Sequence, residues 1–396
     1  MKTRIPKQVL PVLVLAQFAG TSLWFAINAV MPDLQAAYGW PQTWVAHATG
    51  ALQIGFVAGT LVFAAWGLAD RFDPVHVFVW SCVAGAVFTA LAGWSAHVPA
   101  WSLAFRLASG VSLAGIYPVG MKIAALWYRQ GLGLALGWLV GALILGSAAP
   151  HGIRALGHAW PWQGVFGVVV ILVLAGGVLM YTAMPRPARL NGFVPLRPGA
   201  LWAVFMQPRL KASVLGYWGH MWELYAMWVL MPWIIATRLD SPSAVSGMSF
   251  CVLGLGTLGC VGGGYAAQRW GSARVASACL ATSGVCALTA PLWWHAADIV
   301  FFGVLMLWGL SVTGDSPQFS ALTAQAAPAD RVGSVLTMAN SVGFVISTLT
   351  IYAAVASAQS WGLMQTLPCL ALGPALGVWA MRTLWRQAPT DIVSPP

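Results

Sequence analysis

Trp66-Gly67-Leu68-Ala69-Asp70-Arg71-Phe72-Asp73 is a charged turn between two apolar runs, near 44–66 and 75–94. Gly264-Tyr265-Ala266-Ala267-Gln268-Arg269-Trp270-Gly271 is a second such turn, between runs near 244–267 and 274–294. Asp70-Arg71 and Gln268-Arg269 stand 198 positions apart. Each run has about 20 residues, the length an α-helix needs to cross the hydrocarbon of a bilayer. Eight more such runs flank these four, near 9–31, 100–122, 131–150, 161–183, 211–236, 299–323, 332–356 and 362–384. The spacing therefore predicts twelve spans.

Composition agrees. Only 7% of the 396 residues are charged and 59% are hydrophobic. A soluble globular domain carries about 25% charged residues. So few charges exclude a soluble enzyme, a disordered chain and a nucleic-acid binder. The net charge of +10 is spread one or two bases per loop, without the clustered basic face that nucleic acid needs. The 23 Trp residues suit a chain that meets membrane–water interfaces. The six Cys fall inside apolar stretches with no paired or metal spacing, and read as small buried hydrophobes. Lys2, Arg4 and Lys7 precede an apolar run from Val9 to Val30. That run is longer than the h-region of a signal peptide, so it reads as a retained first helix.

The bases set the orientation. With both termini cytoplasmic, sixteen of the 19 Lys and Arg lie on the inside and only Arg154 and Arg238 outside, while Arg106 lies within a span. The expected location is the cytoplasmic (inner) membrane, multi-pass. The two halves also repeat. Gly110, Gly115 and Pro118 match Gly309, Gly314 and Pro317, each 199 positions later. Arg129, Gly131 and Gly141 match Arg331, Gly333 and Gly343, 202 later. Parallel duplication of this kind is a transporter architecture. The expected division is a bundle over 1–183, a cytoplasmic linker over 184–210, and a second bundle with a short tail over 211–396.

The two turns, with six spans on either side of the middle, resemble the cytoplasmic signature of the major facilitator superfamily: a glycine, three residues, Asp-Arg and a second glycine. Asp70 and Arg71 match it. Trp66 and Asp73 depart from the glycine positions, and Gln268 replaces the second Asp before Arg269. The resemblance implies an all-α membrane protein of twelve helices in two pseudo-symmetric six-helix bundles around a central cavity. It implies alternating access by rocking, with Asp70, Arg71 and Arg269 as gating residues. The bland alternative is a solvated turn that obeys the charge rule. The resemblance further implies that the first, fourth, seventh and tenth spans line the cavity.

The charges that orientation does not explain are the candidate site. Arg106, followed by Gly110 and Gly115, resembles the family's fourth-helix pattern. An Arg within a span is costly unless it meets a cavity or a partner. It would hold an anionic group or balance a carboxylate; the alternative is snorkelling. Tyr217, His220, Glu223 and Met227 recur at helical spacing, and Glu223 is the only Glu in the chain. A midplane carboxyl can exchange a proton with a cavity, or the His–Glu pair can simply tie helices together. Asp315 stands in Gly314-Asp315-Ser316-Pro317, where Gly and Pro permit a broken helix. It reads as a proton or substrate site, or as a partner of Arg331 or another inner base. The matching bend carries Tyr117. Gln17, Thr21 and Asn28 form a polar stripe on the first span, suited to ligand or to helix–helix contact. Trp308, with Trp24, Trp218, Trp222 and Trp228, lies deep enough to stack on a flat solute or to pack. Lys122 ends the fourth span, where Lys commonly snorkels.

No phosphate loop, catalytic triad or metal set is present in the sequence, so no cofactor, no metal and no enzymatic activity are expected. The expected function is a secondary active transporter of a small organic solute, coupled to protons and acting as a monomer in the bilayer. The alternatives are an exporter of hydrophobic drugs or lipids on the same fold, and a channel or non-transporting sensor.

Overall fold

The computed structural model describes residues 5–128, 132–186, 196, 199–328 and 331–385. Arg129 and Gly131 of the repeat lie outside the described residues, as do Lys2, Arg4, Arg189, Arg197 and Arg386 of the charge count. Among the described residues every regular element is helical.

The twelve expected segments each coincide with a helix or a broken helix. They are α1 (Val9–Thr21, continued by Ala26–Ala29), α2 (Trp44–Trp66), α3 (Pro74–Trp94) and α4 (Pro99–Ala114, resumed as Tyr117–Trp127). Next come α5 (Leu132–Leu156), α6 (Gln163–Ala183), α7 (Pro208–Ile235) and α8 (Pro242–Trp270). The last are α9 (Ser272–Leu288), α10 (Asp298–Gly314, resumed as Ser316–Ala326), α11 (Val332–Trp361) and α12 (Leu363–Leu370 with Leu372–Met381). Among the described residues, nine helices are long and apolar enough to cross a membrane. The other three segments are α1 and α9, which are shorter, and α7, which carries polar side chains. The stretch expected as a linker contains a helix of its own, Ala200–Met206.

The surface is apolar where lipid would lie. Ile171, Leu292, Ile299 and Leu349 are all mostly exposed. The interior, by contrast, holds Arg106, Glu223, His220 and Asp315, each at most 1% exposed. Such a pattern suits a hydrocarbon solvent.

Close packing depends on glycine in the same way in both halves. A Cβ on Gly55 of α2 would overlap the Leu107 carbonyl of α4, and one on Gly110 would overlap the Leu52 carbonyl. In the second half, Gly259 of α8 meets the Leu310 carbonyl of α10, and Gly309 meets that of Val252. Backbones approach this closely only where side chains are absent. Gly67 (φ 60°) caps α2 in the left-handed region and makes the turn to Asp70 and Arg71.

The breaks of α4 and α10 fall at equivalent places, just before Pro118 and Pro317. Pro317 cannot donate to the carbonyl of Thr313. The Cys260 thiol of α8 takes that carbonyl instead, at 2.9 Å. The halves meet along two seams. On one, Thr257 of α8 donates to the Gly141 carbonyl of α5 at 3.0 Å, and Ser243 to that of Ala155 at 3.0 Å. On the other, Thr348 of α11 donates to Gln53 of α2 at 2.8 Å, and Gln53 to Ser347 at 3.2 Å.

The Trp residues near the span ends divide between surface and interior. Trp94, Trp101, Trp160 and Trp361 are more than half exposed, as an interfacial belt requires, but Trp40, Trp162 and Trp293 are buried. Trp40 donates to the Ala96 carbonyl, and Trp293 to that of Cys286. An indole near a span end can be satisfied by a loop carbonyl as well as by headgroups.

Candidate functional site

A small cavity lies between the halves, lined by Tyr117 of α4, by Tyr217, Tyr225 and Trp228 of α7, and by Ser316 and Asn340 of α10 and α11. Apolar side chains of α5 and α7, with Thr313 and Ser320 of α10 and Phe344 of α11, complete the wall. Lys, Arg, Asp and Glu do not contribute to it. Its volume of about 40 Å³ leaves room for only a few waters, so an organic solute enters only if the walls part.

Aromatic rings close the cavity on the side away from the basic loops. Trp24 stacks on Tyr225 across the halves, with centroids 5.7 Å apart and planes 11° apart. Phe56 meets Phe344 edge-on at 4.7 Å, and Phe25 meets Trp228 at 5.3 Å. Tyr225, Trp228 and Phe344 therefore serve both the seal and the cavity wall. The indole nitrogens of Trp24 and Trp228 are buried without a partner.

Glu223 and His220 of α7 share a helix face with Tyr217, as the spacing predicts, yet they do not line the cavity. They turn into the second half. Ser283 of α9 donates to Glu223 Oε2 and Trp308 of α10 to Oε1, each at 2.7 Å. Trp308 is thus a partner of the carboxylate rather than a wall of the cavity. His220 Nε2 lies 2.7 Å from the hydroxyl of Ser316, and its Nδ1 lies 2.9 Å from Asp315 Oδ1. The second contact is close but off-line, and neither oxygen of Asp315 has an aligned donor. The side chain described beside Asp315 is that of His220.

Arg106 is wholly buried, and its position is unexpected. Nη1 donates to the carbonyl of Leu23 at 2.9 Å, and Nη2 to that of Trp24 at 2.6 Å. The interruption of α1 at residues 22–25 frees these carbonyls, and a planar two-pronged donor satisfies both. The guanidinium therefore braces a broken helix. It neither snorkels nor faces the cavity.

The polar stripe of α1 divides. Asn28 donates to Thr49 of α2 at 2.8 Å. Thr21 donates to the Gln17 carbonyl at 2.8 Å and reaches that of Leu143 of α5 at 3.4 Å. Both are helix–helix contacts. Gln17 is wholly buried against Gly120 of α4, with both amide atoms unpartnered. Of the gating candidates, Asp70 forms an ion pair with Lys122 at the end of α4. Arg71 and Arg269 are exposed, and Arg269 lies over the Trp270 ring at 6.0 Å. The two arginines assigned to outer loops are both paired, Arg154 with Asp33 and Arg238 with Asp298.

Sequence reasoning missed Ser283 and Ser316. Isolated serines in apolar helices carry no periodic signal. Only the offset of 198 positions that pairs Ser283 with Gly85 could have singled one out.

Residues 13–351 match the Major Facilitator Superfamily. A Haemophilus influenzae protein named for metabolite transport is 31% identical over 154 residues, 36% of this chain and 34% of that protein. The match thus spans about a third of that relative's length. An uncharacterised MFS-type transporter of Bacillus subtilis, YcxA, is 24% identical over 74% of each chain. Among solved structures, the human organic anion transporter MFSD10 (TETRAN) superposes with a TM-score of 0.74. It is 15% identical, over 95% of this chain and 99% of that one. A bacterial homologue of the human lysosomal transporter Spinster, inward-facing and unoccupied, gives 0.70 at 14% identity over 96% and 98%. A sequence match over residues 13–351, carried on twelve helical segments around a shared cavity, makes this chain a member of the Major Facilitator Superfamily.

Proposed function

We propose that the chain moves a small organic solute across the cytoplasmic membrane by alternating access, coupled to protons. That it is a membrane transporter and not an enzyme follows from its family. The observation that carries the finer reading is the separation of two sites. The cavity between the halves is aromatic and hydroxyl-lined and takes no charge from its walls. The carboxyls of Glu223 and Asp315 lie behind it, buried in the second half without Lys or Arg as a partner among the ion pairs described. Burying such groups is costly, and they persist where a proton is taken up and given off. The aromatic walls favour an uncharged or weakly polar solute with a flat face. With its prongs on Leu23 and Trp24, Arg106 does not suit the role of anion receptor. The aromatic seal across the halves supports a state closed on the side away from the basic loops, whereas the Asp70–Lys122 pair lies within one half and favours neither side.

The exporter reading needs an apolar opening between the halves. An apolar groove of about 680 Å³ does exist, but Phe63, Trp80 and Leu107 place it between α2, α3 and α4 of one half. It therefore favours no path between the halves.

The test is flux into proteoliposomes over a panel of metabolites and drugs, with and without a pH gradient. Wild type should concentrate at least one compound when the gradient is present. Glu223→Gln and Asp315→Asn should lose the concentration but keep solute exchange. A transported compound whose flux ignores the gradient in all three proteins overturns the coupling.

A further inference from the structure

The two halves can be superposed residue by residue through their contacts. Gln17 abuts Gly120 and Tyr217 abuts Phe319, so α1 maps on α7 with an offset of 200 and α4 on α10 with one of 199. Gly115 abuts Ser81 and Gly314 abuts Cys279, so α3 maps on α9 with an offset of 198. On this map the equivalents of His220, Asp315, Glu223 and Ser283 are Gly20, Ile116, Leu23 and Gly85. Those residues also touch. A Cβ on Gly20 would lie 2.6 Å from Ile116, and one on Gly85 would lie 2.9 Å from Leu23. The same four positions are filled by apolar packing in one half and by titratable groups in the other. The fold does not need the polar set, so its presence asks for a task.

The geometry points to a proton relay that runs from the central cavity through Ser316 and His220 to Asp315. The inference rests on the proton-coupled reading above and adds the route. Ser316 is the link because it touches both sides: it lines the cavity, and its hydroxyl lies 2.7 Å from His220 Nε2. The imidazole sets its other nitrogen 2.9 Å from Asp315 Oδ1, off-line as it stands, and a small tilt of the ring aligns Nδ1–H with that oxygen for the transfer. Neutral histidine holds one proton and one lone pair, so it passes a proton by exchanging them. In loading, a hydronium in the cavity gives a proton to Ser316 Oγ, whose own proton moves to Nε2. The Nδ1 proton then moves to Asp315 Oδ1. One proton enters, one carboxylate is neutralised, and the imidazole ends in its other tautomer. Release is the reverse path. The cavity that Ser316 lines is the one whose access alternates, so a single relay serves both sides of the membrane.

The groups facing this relay are Tyr217 and Glu223 on α7, Cys260 on α8, Cys279 on α9 and, across the cavity, Tyr117 on α4. None is a base that would permanently neutralise Asp315. Pro317 leaves α10 broken at Asp315, and a nearby charge there acts on a segment whose helix is already interrupted.

The test uses the proton as probe and the full chain in lipid nanodiscs. After a jump from mildly alkaline to mildly acidic buffer, infrared difference spectra follow the carboxylic acid C=O band that Asp315→Asn removes. In wild type that band should rise. In Ser316→Ala and His220→Gln it should rise at least about tenfold more slowly, a threshold below the roughly 10²–10⁴-fold usual for a positioned proton donor. Ser316→Thr, which keeps the hydroxyl, should restore the rate. Wild-type kinetics in Ser316→Ala, or no band lost in Asp315→Asn, overturns the relay. If His220→Gln fails to fold, the Ser316 pair decides. This titration needs neither solute nor flux. A chain that titrates as described but carries nothing with its protons would sink the proposed function and leave the relay standing. Coupled flux with unaltered proton uptake in Ser316→Ala would do the opposite.

Discussion

Trp308 donates its indole N–H to Glu223 at 2.7 Å, on the oxygen opposite the one held by Ser283. The carboxyl is therefore satisfied within one half and does not face the cavity. Ser283 also lies 3.1 Å from the Leu280 carbonyl, so its hydroxyl can turn away and accept from a protonated Glu223. Both protonation states then have partners.

Replacing this pair by its counterparts in the other half is the sharpest test of its purpose. Glu223→Leu with Ser283→Gly should still fold, at a cost of roughly 1–3 kcal/mol because the buried Trp308 N–H loses its acceptor. Proton-driven accumulation should be lost while solute exchange continues. Thermal unfolding in detergent and proteoliposome flux measure the two effects. Loss of folding would show that the polar pair is structural.

Removing Arg106 should be costly whatever the solute. Arg106→Ala leaves the carbonyls of Leu23 and Trp24 without donors in a water-free interior, worth roughly 2–4 kcal/mol. Arg106→Lys should recover only part, since one ammonium lacks the fork that reaches two carbonyls. Melting temperatures in a single detergent should rank wild type above Lys and Lys above Ala. Equal values for Lys and wild type would show that charge alone suffices.

Gly55→Ala and Gly259→Ala should be damaging to a similar degree. Each new methyl overlaps a backbone carbonyl, of Leu107 or Leu310, that cannot rotate away. Overpacking of this kind costs roughly 3 kcal/mol. Gly303→Ala, where a Cβ meets nothing within 4 Å, is the control and should be silent. Expression level and monodispersity report the difference.

The Asp70–Lys122 pair should matter more for conformation than for stability. Its side chains are 26% and 24% exposed, and pairs of that kind contribute below about 1 kcal/mol. Asp70→Asn should leave the melting temperature nearly unchanged but alter thiol labelling of a cysteine introduced at Tyr225, within the outer seal. Unaltered labelling would remove the turn from the gating scheme.

Much of the fold is legible in the sequence because hydrophobic length and loop charge act locally. Each of the twelve runs becomes a helix or a broken pair, and the α4 and α10 breaks fall where Gly115–Pro118 and Gly314–Pro317 announce them. The break in α1 was not legible. Ser22-Leu23-Trp24-Phe25 contains neither Gly nor Pro, and its stabiliser stands 83 residues away in α4. The site was legible by composition but not by direction. Arg106, Glu223 and Asp315 were singled out because nothing else explained a charge there. Which way each points depends on helix rotation, and spacing alone cannot set that. Tyr217 reaches the cavity while His220 and Glu223, on the same predicted face, are drawn aside by Ser316, Ser283 and Trp308. Ser283 and Ser316 carried no signal because a serine costs an apolar helix little and fits either environment.

The dependence of α1 on Arg106 also bears on how the chain is made. Synthesis runs from the N-terminus, so α1 enters the bilayer well before Arg106 exists. Until α4 follows, the carbonyls of Leu23 and Trp24 have no guanidinium to meet, and an uninterrupted helix is the cheaper form in lipid. The first span should therefore insert straight and acquire its bend late, when the fourth arrives beside it. The shape of α1 is thus written in a later part of the sequence, 83 residues beyond its bend.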